Sequence, residues 1–162
     1  KQAKDNFNEA INLKSLEGET AVMTTEVTVA KMCKLEVGQP IQLPQTFLDA
    51  LKPEEGNYAV MILAPSTKII RIIPTTSDKV YKVGIEIGKL SPDFLKKMGS
   101  LFMKAGIKTL YSTGLCFTQE SCVYEGYIDS KEFKNVNMET IKEELTDIDG
   151  VSKVDISVLE IP

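Results

Sequence analysis

The sequence predicts an α+β fold in two parts: a short β-rich hairpin unit over residues 23–75 and a βαββαβ domain over residues 80–162. Three observations carry this. Apolar residues alternate with polar ones from Tyr81 to Ile87 and from Val154 to Val158, as half-buried strands require. Between those strands lie two stretches with helical spacing, each closed by a glycine. Upstream, the stretch from Gly38 to Pro74 places a turn glycine, an extended run, one short helix and a closing hairpin in so few residues that the unit cannot bury a core alone. Such a unit is expected to pair with a copy of itself.

Taken in order, residues 1–22 are polar, with a faint helical pattern in Phe7, Ala10 and Ile11. Met23 starts a new register and suits a natural initiator, which would make 1–22 an appended tail; a native N-terminal helix is the alternative. Thr24 to Val29 is β-branched and reads as a strand, as does Ile41–Leu43, which Pro44 ends. Gln45–Leu51 fits a two-turn helix with Phe47, Leu48 and Leu51 on one face, closed by Pro53 and Gly56. Tyr58–Leu63 and Ile69–Ile73 form a hairpin that Pro74 stops, and Thr75 to Lys79, TTSDK, is a short polar linker, with residues 76–79 separating the two domains.

After the strand Tyr81–Ile87, Ser91-Pro92 supplies an N-cap and a proline at the first helical position. Phe94, Leu95, Met98, Leu101, Phe102 and Ala105 follow on one helical face, up to Gly106. A long strand is expected over Ile107–Phe117, a second over Ser121–Ile128, and a helix from about Met138 to Gly150 that turns Ile141, Leu145 and Ile148 inward. With the last strand, the order is the split βαβ of ferredoxin-like sandwiches.

Composition narrows the chemistry. The chain has no histidine, which removes Ser-His, Cys-His and histidine–metal sites. Cys33, Cys116 and Cys122 have no CxxC spacing, and reduced thiols are the expected state; a Cys116–Cys122 link across the hairpin is the alternative. Neither metal nor cofactor is expected. Without a secretory signal or a membrane-length apolar run, the chain reads as cytoplasmic, with no membrane partner. Residues 23–79 carry six basic and six acidic side chains and residues 80–162 ten and thirteen, so the acidity of the chain, net −4, sits in the second half.

No residues read as catalytic. Glu143, Glu144, Asp147 and Asp149 fall on or beside a helix as a solvated face, and Gly84, Gly88, Gly99 and Gly106 lack a phosphate-loop spacing. A non-enzymatic binding protein is the expectation.

The residues Gly38, Gln39, Ile41, Leu43 and Pro44, the helix positions Phe47, Leu48 and Leu51, Glu55-Gly56 and the closing Ile69-Ile70-Arg71-Ile72-Ile73-Pro74 together resemble the AbrB-like swapped-hairpin family, which includes MazE-type antitoxins. The resemblance spans Thr24–Pro74. It implies that two chains interleave their hairpins into one β-barrel and bind DNA through the first hairpin, where Lys31, Lys34, Gln39 and Gln42 stand. The family pattern is not complete, because this arm has no arginine to fork a guanine. A hairpin used only for dimerisation is the plainer reading.

Val80–Glu160 resembles the ACT domain, a ferredoxin-like module that senses amino acids and related metabolites. The resemblance implies an effector at the loop after the first strand: Gly88, Lys89, Leu90, Ser91 and Asp93, with backbone amides at the helix start holding a carboxylate and Lys89 assisting. The Asp-x-Pro-Gly turn of ligand-binding members is replaced by GKLSPD, and Ser91-Pro92-Asp93 also serves as an ordinary helix cap. The combined expectation is a dimeric transcriptional regulator with DNA and a small effector as partners; a non-DNA-binding oligomeric module that regulates a partner enzyme is the alternative.

Overall fold

Strand β3 (Lys79–Ile87) organises the molecule because both of its edges are paired along their length. The computed structural model describes residues 27–51 and 57–162, which fall into two units, one ending at Pro44 and the other Gln45–Pro162. The expectations for residues 1–22 and for the start of the Thr24 strand lie outside the described residues.

In the second unit a helix α1 (Gln45–Leu51) comes first, followed by a hairpin of β1 (Tyr58–Ala64) and β2 (Ile69–Thr75). Next come β3, α2 (Pro92–Ala105), β4 (Tyr111–Thr118), β5 (Ser121–Asp129), α3 (Met138–Thr146) and β6 (Val151–Glu160). The four later strands form an antiparallel sheet in the order β4-β5-β3-β6, the split βαβ order expected from the sequence. The fold is α+β.

Period-two alternation splits the sheet into two faces. On β3, Val83, Ile85 and Ile87 point to the helices and are at most 4% exposed, while Lys82, Gly84 and Glu86 take the opposite face. Phe94, Met98 and Phe102 recur one turn apart on α2, and Ile141 and Leu145 on α3, so both helices press their apolar stripes onto the same face. Full burial of a side chain such as Ile85 or Leu145 stabilises the fold by about 1.5–3 kcal/mol.

Local signals fix the helix ends. Ser91 Oγ accepts the Phe94 N–H at 3.2 Å, and Pro92 opens α2. Gly106 ends it in the left-handed region (φ 71°), where the Ile107 N–H donates to Phe102 O at 2.9 Å. That cap explains one departure from expectation. Ile107 is buried and belongs to the helix exit, so β4 begins at Tyr111, not at Ile107.

Three further corrections concern the strands and cysteines. Residues 27–44 hold a turn at Gly38 (φ 81°) but no strand, so the expected Ile41–Leu43 strand is not formed within one chain. Strand β2 continues through Pro74 to Thr75, because proline is tolerated on the edge of a two-stranded sheet. Cys116 and Cys122 stand opposite each other in the β4–β5 register and are disulfide-bonded, leaving Cys33 free and exposed. Reduced thiols were the expectation. Such bonds persist in oxidising compartments and are reduced in the cytosol, so this bond and the cytoplasmic expectation pull in opposite directions.

The polar stretch before β3 is a tight turn. Thr75 and Asp129 are both buried, and the hydroxyls of Thr76 and Ser77 donate to the Asp129 carboxylate. No helix among the described residues is long and apolar enough to cross a membrane.

Candidate functional site

Lys31, Lys34, Gln39 and Gln42 all lie in the irregular, exposed segment of the first unit. Gly38 reverses the chain there, with the Gln39 N–H donating to Glu36 O at 3.2 Å. Lys34 pairs with Glu36, an exposed contact worth under about 1 kcal/mol. The same segment leaves Val27, Met32 and Val37 almost wholly bare, at 98%, 99% and 106% exposure. Cations and apolar side chains thus share one short stretch.

The expected effector loop joins β3 to α2, and its polar groups are engaged locally. The Gly88 N–H donates to Gly150 O at 3.1 Å, tying the loop to the turn before β6. Ser91 caps α2, its own N–H donates to Lys89 O at 2.9 Å, and Asp93 pairs with Lys97 at 3.0 Å. Leu90 folds over Gly114 on β4, so close that a methyl group there would lie 2.6 Å from Leu90 Cδ2. These five residues are brought together, but they line neither of the two cavities that follow.

The first cavity sits on the helix-free face of the sheet. Gly84, in the middle of β3, leaves a depression of 240 Å³ ringed by Lys82, Glu86, Glu125, Lys153 and Asp155. The missing side chain leaves the strand backbone bare here, and a Cβ at Gly84 would meet only Asp155 O, at 3.9 Å. The ring is largely self-neutralised: Lys82 pairs with Glu125 at 3.0 Å and Lys153 with Glu86 at 3.7 Å. Burial works against the Lys82 charge, but the hydrogen bond and charge of Glu125 outweigh it and hold the ammonium above its ordinary pKa.

The second and larger cavity, 530 Å³, lies between the β1–β2 hairpin and the β4–β5 side of the same face. Val60 and Ile62 anchor the hairpin on Val80 and Tyr127, with Ile73, Leu110 and Tyr111 around them. Farther along, the two elements diverge and leave a cleft walled by Ile62, Ile69, Leu115, Phe117 and Val123. Arg71 enters it from β2, opposite Ile62 in the hairpin register, with its guanidinium carbon 4.8 Å from the centre of the Tyr111 ring.

Sequence reasoning did not find this group. The alternation along β2 already puts Arg71 on the face of Ile69 and Ile73, but nothing local joins it to Tyr111, 40 positions later. Their meeting depends on the tertiary packing of hairpin on sheet.

No protein-family model and no curated protein matches the sequence. Among solved structures, the chain is similar to the uncharacterized protein TM1266 from Thermotoga maritima, at 12% identity and a TM-score of 0.34, over 52% of this chain and 99% of that one. It is also similar to SnoaB, a cofactor-independent oxygenase from Streptomyces nogalater, at 14% identity and a TM-score of 0.30, over 53% of this chain and 95% of that one. Both likenesses are slight.

Proposed function

We propose that this chain is a dimeric transcriptional regulator: a swapped-hairpin β-barrel built from two copies contacts DNA, and the ACT-like βαββαβ half senses a small molecule. The observation that carries the dimer is the bare apolar surface of the N-terminal part. Val27, Met32 and Val37 are exposed in the first unit, and Met61, Leu63 and Ile70 cover the outer face of the hairpin in the second, at 72%, 58% and 57% exposure. A two-stranded hairpin is marginal by itself, and this one has apolar residues on both faces. A second copy is the fitting occupant, because its strand-forming segments are equally short of partners and a two-fold arrangement satisfies both at once.

The DNA contact rests on the resemblance of residues 24–74 to the swapped-hairpin family, with Lys31, Lys34, Gln39 and Gln42 as the contacting side chains. Two copies would present four lysines from positions 31 and 34. The second reading, an oligomeric module that regulates a partner enzyme without binding DNA, is favoured by the Lys34–Glu36 pair, which reduces the charge free to meet phosphate.

Fluorescence anisotropy with fragmented genomic DNA at two salt concentrations separates the readings. The regulator loses affinity steeply with salt, by a log–log slope of about 0.9 per phosphate met, and Lys31→Ala lowers that slope by about 2 in the dimer. Binding that is absent at both salt concentrations supports the partner-regulating module.

A further inference from the structure

The cleft between the hairpin and the sheet is open to solvent, and its 530 Å³ falls within the roughly 300–1,000 Å³ of small-molecule sites. Its walls suit an apolar guest, since Leu115 and Phe117 are 52% and 67% exposed. Leaving two such side chains uncovered forgoes apolar burial that a guest in the cleft would recover.

One charge stands out among those walls. Arg71 forms no ion pair with a carboxylate of the described residues, and the Tyr111 ring supports its guanidinium plane. The other charged group at the cleft, Glu125, is already met by Lys82 at 3.0 Å. Among the described residues, the cleft therefore offers an apolar wall and one cation without a carboxylate partner. A neutral guest would leave the guanidinium donors unmet, and a phosphate dianion would want a second cation. A carboxylate matches the planar fork of a single arginine.

We infer that this cleft binds a small monocarboxylic acid with an apolar body, its carboxylate held by Arg71 and its body laid against Leu115 and Phe117. The site is separate from the β3–α2 loop, and its occupancy is measured on the protein alone, so its failure is distinguishable from a failure of DNA binding.

Isothermal titration of the full chain with octanoate and with 3-phenylpropionate, each beside its primary amide, tests the inference. Saturable binding of at least one acid is expected, with its amide at least tenfold weaker; which acid binds distinguishes an aliphatic from an aromatic body. Arg71→Met lowers affinity for that acid at least tenfold and leaves the amide unchanged, while Arg71→Lys retains part of the difference. Thermal unfolding checks that each variant is folded. Should Arg71→Met not fold, Leu115→Glu on the exposed edge strand places a like charge in the same cleft and must also cost at least tenfold. The inference is overturned if neither acid binds, if acid and amide bind alike, or if a folded variant binds the acid as tightly as the parent.

Discussion

The Ser77 hydroxyl donates a hydrogen bond to Oδ1 of Asp129, 52 residues further along the chain. The same carboxylate accepts the Lys131 N–H at 3.0 Å, and its Oδ2 accepts the Thr76 N–H at 3.2 Å and the Thr76 hydroxyl at 3.1 Å. Asp129 is only 2% exposed. One buried side chain thus fastens the turn between β2 and β3 to the end of β5 and, through it, positions the hairpin that forms one wall of the cleft.

Asp129→Asn tests that fastening. Burial pushes the carboxyl pKa up, but the bonds from Ser77, Lys131 and Thr76 together outweigh it and hold it below the usual carboxylate range. A depressed folded pKa means that the stabilisation is present above the unfolded value, about 4, and is lost as pH falls through the folded one. The variant should lose about 1.5–3 kcal/mol at pH 7, because hydrogen bonds to a charged group are replaced by weaker ones. Its stability should also fall less steeply below about pH 4 than that of the parent. Urea denaturation at pH 7 and at acid pH reads both effects.

Gly114→Val should destabilise the sheet–helix packing by about 1–3 kcal/mol through overpacking against Leu90. A Cβ at this position meets Leu90 Cδ2 at 2.6 Å, and that atom is the end of a flexible side chain. The double variant Gly114→Val/Leu90→Ala should therefore be more stable than the sum of the two single changes, as a double-mutant cycle would read.

Reducing the Cys116–Cys122 bond should lower the melting temperature modestly, since a loop this short yields only about 2 kcal/mol. Thiol titration of the native, oxidised chain should find one reactive group, Cys33, and all three cysteines after reduction and unfolding. Three reactive thiols in the untreated protein would contradict the link.

The parts of the fold that were legible in the sequence are those fixed by neighbours in the chain. Ser91-Pro92 and Gly106 bracket α2, the alternation from Tyr81 to Ile87 marks β3, and the two apolar runs around residues 65–68 mark the hairpin. Misreadings arose where a neighbour competes. The alternation from Ile107 onward looks like strand, but the Gly106 cap claims the Ile107 N–H for the helix. The linker reading of residues 76–79 failed to foresee that Asp129 would fasten the turn. Arg71 against Tyr111 depends on tertiary packing, for which the sequence carries no local sign, whereas Cys116 and Cys122 flank one turn closely enough for their link to be legible as the alternative to reduced thiols.

The mass of the full chain in solution, followed by light scattering over a range of concentrations, bears most directly on the proposed dimer. The account predicts a species of twice 17.9 kDa, and it predicts that Met61→Asp/Ile70→Asp, which charges the bare outer face of the hairpin, shifts the population to the single chain while the four-stranded domain stays folded. A parent protein that stays at 17.9 kDa at every concentration would contradict it.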